Sequence, residues 1–204
     1  TSSDDEIEDP KFSPDGKKIA FVRNANLWLL DLKSRQETAL TEEGVVDEIL
    51  LGKTDWVYWE ELWGRNSTGF WWSPDSTKIA LYRFDDREVK SYPLLNAIPL
   101  DAEGKLQPYP RAGETNPDVR VGVLHLESRE IVWMKTEHKE EVYLPRVTWT
   151  PRGDLAIHRL NRQQNRLDLL RCDAEKGRCT TWLSEKSSSW IDIEQLLDLF
   201  GLTR

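Results

Sequence analysis

The stretch Phe12-Ser-Pro-Asp-Gly-Lys-Lys-Ile-Ala-Phe-Val-Arg23 decides the fold, because it returns twice more along the chain. The second copy is Trp72-Ser-Pro-Asp-Ser-Thr-Lys-Ile-Ala-Leu-Tyr-Arg83 and the third is Trp149-Thr-Pro-Arg-Gly-Asp-Leu-Ala-Ile-His-Arg159. Each reads as an aromatic residue, Ser or Thr, Pro, a polar turn, and then a run that alternates apolar and polar. Proline at the second turn position fixes φ, and Asp or Gly (Ser at position 76) accepts the turn geometry. The alternation that follows buries one face of a strand.

Each copy is followed by another hairpin. Leu27–Leu32 turns at Lys33-Ser34-Arg35 into Glu37–Leu40, Val121–Leu126 turns at Glu127-Ser128-Arg129 into Ile131–Met134, and Arg166–Arg171 turns into Thr180–Leu183. Repeated units of about four short antiparallel strands stacked through an apolar face are the signature of a β-propeller. The expected fold is therefore all-β, a β-propeller of four-stranded antiparallel blades, with blade repeats near residues 10–42, 70–135 and 145–185. A Greek-key sandwich shares the alternation but leaves the recurrent turn unexplained. Exposed strand edges are avoided in natural proteins, so either four blades close within the chain or further residues follow Arg204. The segment Trp190–Phe200 fits strand and helix spacing alike.

Two segments break the period. Residues 45–69 separate the first two copies, and residues 85–117, with Pro93, Pro99, Pro108, Pro110 and Pro117, lie between the second copy and its returning hairpin. Long excursions in compact folds are functional or disordered. The second excursion is too proline-rich for a central strand, yet Tyr92, Leu94, Leu95, Ile98, Leu100 and Tyr109 are too apolar for a solvated linker. A surface packed against a partner is the expected role, with folding back on its own domain as the alternative.

The totals exclude some function classes. The chain has 204 residues, ten of them Trp, with 28 Lys plus Arg against 36 Asp plus Glu and a net charge of −8. The basic residues are scattered, so the footprint of a nucleic-acid binder is missing. No apolar stretch approaches the roughly 20 residues of a membrane span. The chain opens on Thr1 without Met and reads as a processed protein or an excised piece. No metal site or cofactor is expected, since His158 is not at ligand spacing from the two cysteines.

Within the first excursion, Thr54-Asp-Trp-Val-Tyr-Trp-Glu-Glu-Leu-Trp63 sets two adjacent carboxylates among large rings. Such charges lose hydration unless a cation or several donors approach them. A cationic ligand for Glu60 and Glu61 is one reading, and a solvated face or an ion pair with Arg65 is the other. Cys172 and Cys179 end the run Cys-Asp-Ala-Glu-Lys-Gly-Arg-Cys between two apolar segments. A hairpin turning at Glu175-Lys176-Gly177 places them opposite each other, at a separation compatible with a disulfide. A free thiol pair is the alternative. A disulfide favours an oxidising compartment, so a periplasmic or secreted location is expected.

Thr54–Trp63, Trp71-Trp-Ser-Pro-Asp75, Tyr109-Pro-Arg-Ala-Gly-Glu-Thr-Asn-Pro-Asp-Val-Arg120 and Leu160-Asn-Arg-Gln-Gln-Asn-Arg-Leu-Asp168 together resemble the N-terminal β-propeller domain of the dipeptidyl peptidase IV family, among the prolyl oligopeptidase-type serine peptidases. The resemblance runs in order through nearly all of the chain. It implies part of an eight-bladed propeller set over a C-terminal α/β-hydrolase domain, with release of N-terminal dipeptides after Pro or Ala. Glu60 and Glu61 match the carboxylates that hold the α-ammonium of a peptide substrate with a free N-terminus, with Trp56, Tyr58 and Trp63 expected to exclude water around them. The excursion from Asp85 to Gly113 matches an arm used in homodimer contact, which assigns Tyr92, Leu94, Leu95, Ile98 and Tyr109 to that contact. The Cys172/Cys179 hairpin matches a disulfide-bearing one.

Two departures accompany the match. Trp59 stands where the family often carries a further Glu, and residues 1–10 supply no arginine for the substrate carbonyl. The chain contains no Gly-x-Ser-x-Gly nucleophile elbow, so catalytic residues are expected only in the hydrolase domain, and this chain alone is expected to be inactive. A stand-alone propeller that binds peptides or proteins without catalysis is the competing reading.

Overall fold

The structure, a computed structural model, describes residues 5–96, 103–137 and 141–193. They fall into two compact units, one running to Gly69 and including Tyr82–Val119, the other comprising Phe70–Leu81 and the chain from Arg120.

In the first unit β1 (Glu8–Phe12), β2 (Lys18–Arg23), β3 (Asn26–Asp31) and β4 (Glu37–Ala39) form an antiparallel sheet in sequence order. Ala20, Phe21, Val22 and Leu27 supply its core. Arg23 is buried with them, and its guanidinium lies 2.9 Å from Glu37 and 3.9 Å from the centre of the Trp28 ring. Those two partners offset the desolvation of the charge.

The chain continues through β5 (Ile49–Leu51), a π-helix (Val57–Leu62), β6 (Phe70–Trp72) and β7 (Lys78–Asp85). A hairpin of β8 (Ser91–Asn96) and β9 (Glu103–Pro108) precedes β10 (Asp118–His125) and β11 (Ile131–Trp133). The sheet order here is β11-β10-β7-β5, with β6 also paired to β7. The Ile49–Leu51 strand lies inside what the sequence presents as pure excursion. Its three buried apolar residues pair with Arg83–Asp85. Three residues are too few for a period-2 pattern to show.

In the second unit β12 (Val142–Trp149), β13 (Leu155–Asn161), β14 (Arg166–Cys172) and β15 (Cys179–Lys186) form a four-stranded antiparallel sheet, again in sequence order. Leu144, Leu155, Ile157, Leu160 and Leu170 are among its buried residues. Cys172 and Cys179 face each other across β14 and β15 and are joined by a disulfide. Gly177 closes that hairpin at φ 66°, and a Cβ there would meet the Trp133 carbonyl oxygen at 2.2 Å. Both observations require glycine.

The repeated turn has one construction. Ser13 Oγ donates to Asp15 Oδ1 at 2.6 Å and accepts from Lys18 N at 3.0 Å, and Ser73 repeats this with Asp75 at 2.6 Å and Lys78 at 2.9 Å. In the third copy Thr150 Oγ1 accepts from Asp154 N. Gly16, Ser76 and Gly153 all take positive φ, a conformation that favours glycine at the fourth position. The hydroxyl donor and the Thr77 and Lys78 groups hold the Asp75 carboxyl down at about 2. Of the C-terminal segment Trp190–Phe200, only residues 190–193 are described.

Candidate functional site

The site segment starts at Asp55. This residue is 4% exposed, and its two carboxylate oxygens each accept a backbone N–H, from Val57 and Tyr58, at 3.0 Å. The carboxylate thereby satisfies donors that the first turn of a helix leaves without partners. Burial raises the Asp55 carboxyl to about 6, against the opposing pull of those N–H groups. The Asp-before-aromatics pattern carries this capping signal in the sequence, although it is not among the residues singled out there.

The helix buries Val57 and Tyr58. Tyr58 is 2% exposed and packs edge-on against Phe84 at 4.7 Å and Tyr82 at 5.6 Å between ring centres. Tyr58, expected to wall the carboxylates, is thus a core residue that ties the helix to β7. Trp63 is half-buried just after the helix.

Glu60 and Glu61 lie in the second half of the helix. The Glu60 side chain is 31% exposed and receives Arg65 Nε at 3.1 Å and Nη2 at 3.4 Å, while Glu61 is exposed. The carboxylates therefore sit at a surface rather than inside a closed aromatic box, and the ion pair that the sequence allowed is formed. The chain leaves the helix through Gly64 and Arg65, both at positive φ, with Arg65 N donating to Trp59 O at 2.6 Å.

Beside the helix opens a cavity of about 400 Å³ whose lining includes Trp56, Trp59, Asp55, Lys53, Glu8 and Asp47. The Trp56 and Trp59 rings meet edge-on at 5.2 Å, and Tyr109 packs on Trp56 at 6.2 Å. The position at which the resemblance expects a further Glu thus presents an indole to the cavity. Lys53 pairs with Glu8 at 2.6 Å and Lys105 with Asp47 at 3.5 Å. No sequence signal announced this cavity, because its lining comes from segments far apart in the chain.

Of the residues assigned to the arm, Leu94 and Leu95 are exposed on β8, Leu95 at 74%. Tyr92 is engaged locally, its hydroxyl 3.1 Å from both Glu114 oxygens and its ring 4.3 Å under Arg111. Tyr109 is held by Trp56. Ile98 lies outside the described residues. Asp86, where the chain leaves β7 for the arm, is 4% exposed, and among the described residues its Oδ1 has no hydrogen-bond partner. Burial, with Asp55, Asp85 and Asp47 nearby, pushes its carboxyl up to about 8.

With this geometry in view, comparison with known proteins places the chain. The family described as dipeptidyl peptidase IV (DPP IV) N-terminal region matches residues 1–203. The chain belongs to this family. The dipeptidyl peptidase IV relatives include dipeptidyl peptidase 4 of Bos taurus, 31% identical over 192 residues, covering 87% of this chain and 25% of that protein. The probable dipeptidyl-aminopeptidase B of Emericella nidulans is 28% identical over 203 residues, covering 90% and 22%. Among solved structures, dipeptidyl peptidase 4 of Porphyromonas gingivalis superposes with a TM-score of 0.88 at 27% identity, covering 96% of this chain and 28% of that one. The chain thus spans about a quarter of the length of the curated relatives it matches. Its four-stranded antiparallel sheets are blades of the kind found in the dipeptidyl peptidase 4 propeller.

Proposed function

We propose that this chain is the substrate-recognition propeller of a dipeptidyl peptidase IV-like serine exopeptidase that releases Xaa-Pro or Xaa-Ala dipeptides. Glu60 and Glu61 bind the substrate's α-ammonium. The observation that carries the reading is the placement of two consecutive carboxylates on a capped, core-anchored helix, within the segment Thr54–Trp63, at a surface a peptide end can reach. A primary ammonium presents three donors, and two carboxylates can receive them. Anchoring the amine fixes how far into the peptide the scissile bond lies. An acylated N-terminus lacks the charge and leaves the carboxylates without their partner.

Chemistry at the amide bond needs a nucleophile, its base and an oxyanion hole. In this reading a C-terminal hydrolase domain supplies them. The β8–β9 hairpin, with Leu94 and Leu95 outward, serves as a homodimer arm, and the Cys172–Cys179 bridge fits a periplasmic or secreted protein.

The test is kinetic. In the full-length protein, Glu60→Gln and Glu61→Gln should each lower kcat/KM for dipeptidyl substrates with a free amine by about ten- to a hundredfold, the range for a hydrogen bond to a charged group. Unchanged kinetics in both variants would reject the amine-anchor role. Peptide binding that ignores N-terminal acetylation would favour a non-catalytic binding module instead.

A further inference from the structure

We infer that Arg65 is a built-in counter-ion that occupies the Glu60 carboxylate in the unliganded protein and must be displaced when a peptide amine binds. Arg65 therefore sets the affinity and the ionic-strength dependence of amine recognition. The inference rests on the reading of Glu60 and Glu61 given above.

Two independent observations carry it. The first is the contact itself: Arg65 places Nε and Nη2 at 3.1 and 3.4 Å from the two oxygens of Glu60, a fork on a carboxylate. That fork occupies the acceptors an incoming ammonium needs, and the neighbouring Glu61 is exposed with no hydrogen bond from Arg65. The second is the backbone. Arg65 is a non-glycine residue at φ 72°, directly after Gly64 at φ 57°, and its N–H is held by the Trp59 carbonyl at 2.6 Å. Positive φ directly after a helix, with this backbone bond, makes a C-terminal cap, and the same φ recurs at Arg35 and Arg129 in hairpin turns, so the turn supplies direction rather than stored strain. Here the turn aims the chain back at the helix it has just left.

The pair is suited to exchange rather than to permanent structure. The Arg65 side chain is 73% exposed and Glu60 31% exposed, so water and salt screen the attraction and either partner can be released at small cost. A peptide ammonium that reaches both Glu60 and Glu61 gains two carboxylates where Arg65 holds one, and the freed guanidinium goes to solvent. A ligand without the positive charge has nothing with which to displace Arg65. The guanidinium therefore sharpens discrimination against acylated termini while weakening the binding of correct ones.

Calorimetric titration of the full-length protein with the dipeptide Ala-Pro and with N-acetyl-Ala-Pro, at low and high ionic strength, tests this. Arg65→Gly and Arg65→Asn remove the charge and suit the positive φ, so neither should disturb the fold. Both should bind Ala-Pro about two- to fivefold tighter than the unaltered protein at low ionic strength, the range set by an exposed ion pair. The gain should shrink at high ionic strength, and Arg65→Lys should give less of it. If both uncharged variants bind Ala-Pro as before or more weakly while Glu60→Gln still loses binding, the counter-ion role is overturned and the amine anchor stands. If neither acetylation nor Glu60→Gln alters binding, the anchor fails and the inference falls with it.

Discussion

At the Ser73–Lys78 turn the hydrogen bonds that hold the chain close within five residues, from Ser73 to Asp75 and Lys78. The Val57–Leu62 helix is held differently: Asp55 caps it locally, but Tyr58 is fixed by Tyr82 and Phe84, and Trp56 by Tyr109. The turn is braced from within and recurs wherever a blade needs one, with Leu126 N on the Thr77 carbonyl and Glu175 on Lys78 as added contacts. The helix is an arrangement that exists only where β7 and the segment at Tyr109 come to meet it. A rigid repeat thus supplies the scaffold, and a singular segment, supported from a distance, carries the carboxylates.

The largest effect should come from removing the distant support. Tyr58→Ala deletes a buried ring and should destabilise the protein by about 3–5 kcal/mol, read as a shift of the denaturant midpoint. If the loss is no larger than for an exposed substitution, the helix does not depend on the core and the contrast with the turn disappears.

A second, smaller effect should follow pH. Asp86 holds its proton to about 8 in the folded protein, where its unfolded counterpart loses it near 4. The native state therefore binds more protons across that window. Stability should be complete at the acidic end and should fall as pH rises from about 4 to about 8. Asp86→Asn should flatten this slope and stabilise the protein by about 1–3 kcal/mol at the alkaline end. An unchanged slope of denaturant midpoint against pH would assign the effect to other groups.

The smallest effect should come from the turn, and with the opposite sign to Tyr58→Ala. Ser76 sits at φ 61° where the sister turns carry Gly16 and Gly153. Ser76→Gly relieves that conformation and should stabilise by about 0.5–1 kcal/mol, with no change in peptide binding. A loss of stability, or any change in binding, would show that contacts from outside the turn outweigh its internal bracing.

The sequence laid out the blades because a turn of five or six residues and the short apolar run after it are local properties: Ser13, Pro14, Asp15 and Gly16 announce their own conformation, although Ala20–Arg23, Ile79–Tyr82 and Leu155–His158 are buried on both faces rather than in alternation. The Cys172–Cys179 pairing was legible for the same reason, since a hairpin whose ends are seven residues apart leaves them few places to be. The β5 strand was not legible, because Ile49–Leu51 gains its identity from Arg83–Asp85, more than thirty residues on. Nor could adjacency separate the ring that walls the site from the ring that fills the core, since Trp56, Tyr58 and Trp59 are alike in chemistry.

By itself, then, the order of residues determined the all-β blades, their turns, the cross-linked hairpin and the presence of two neighbouring carboxylates. Only the tertiary structure decided that Tyr58 turns inward, that Trp59 faces a cavity with Trp56, and that Arg65 lies on Glu60. The physical reason is range. Turn and pleat geometry are fixed by the few residues that form them, whereas burial and ion pairing depend on which distant surfaces the completed fold brings together.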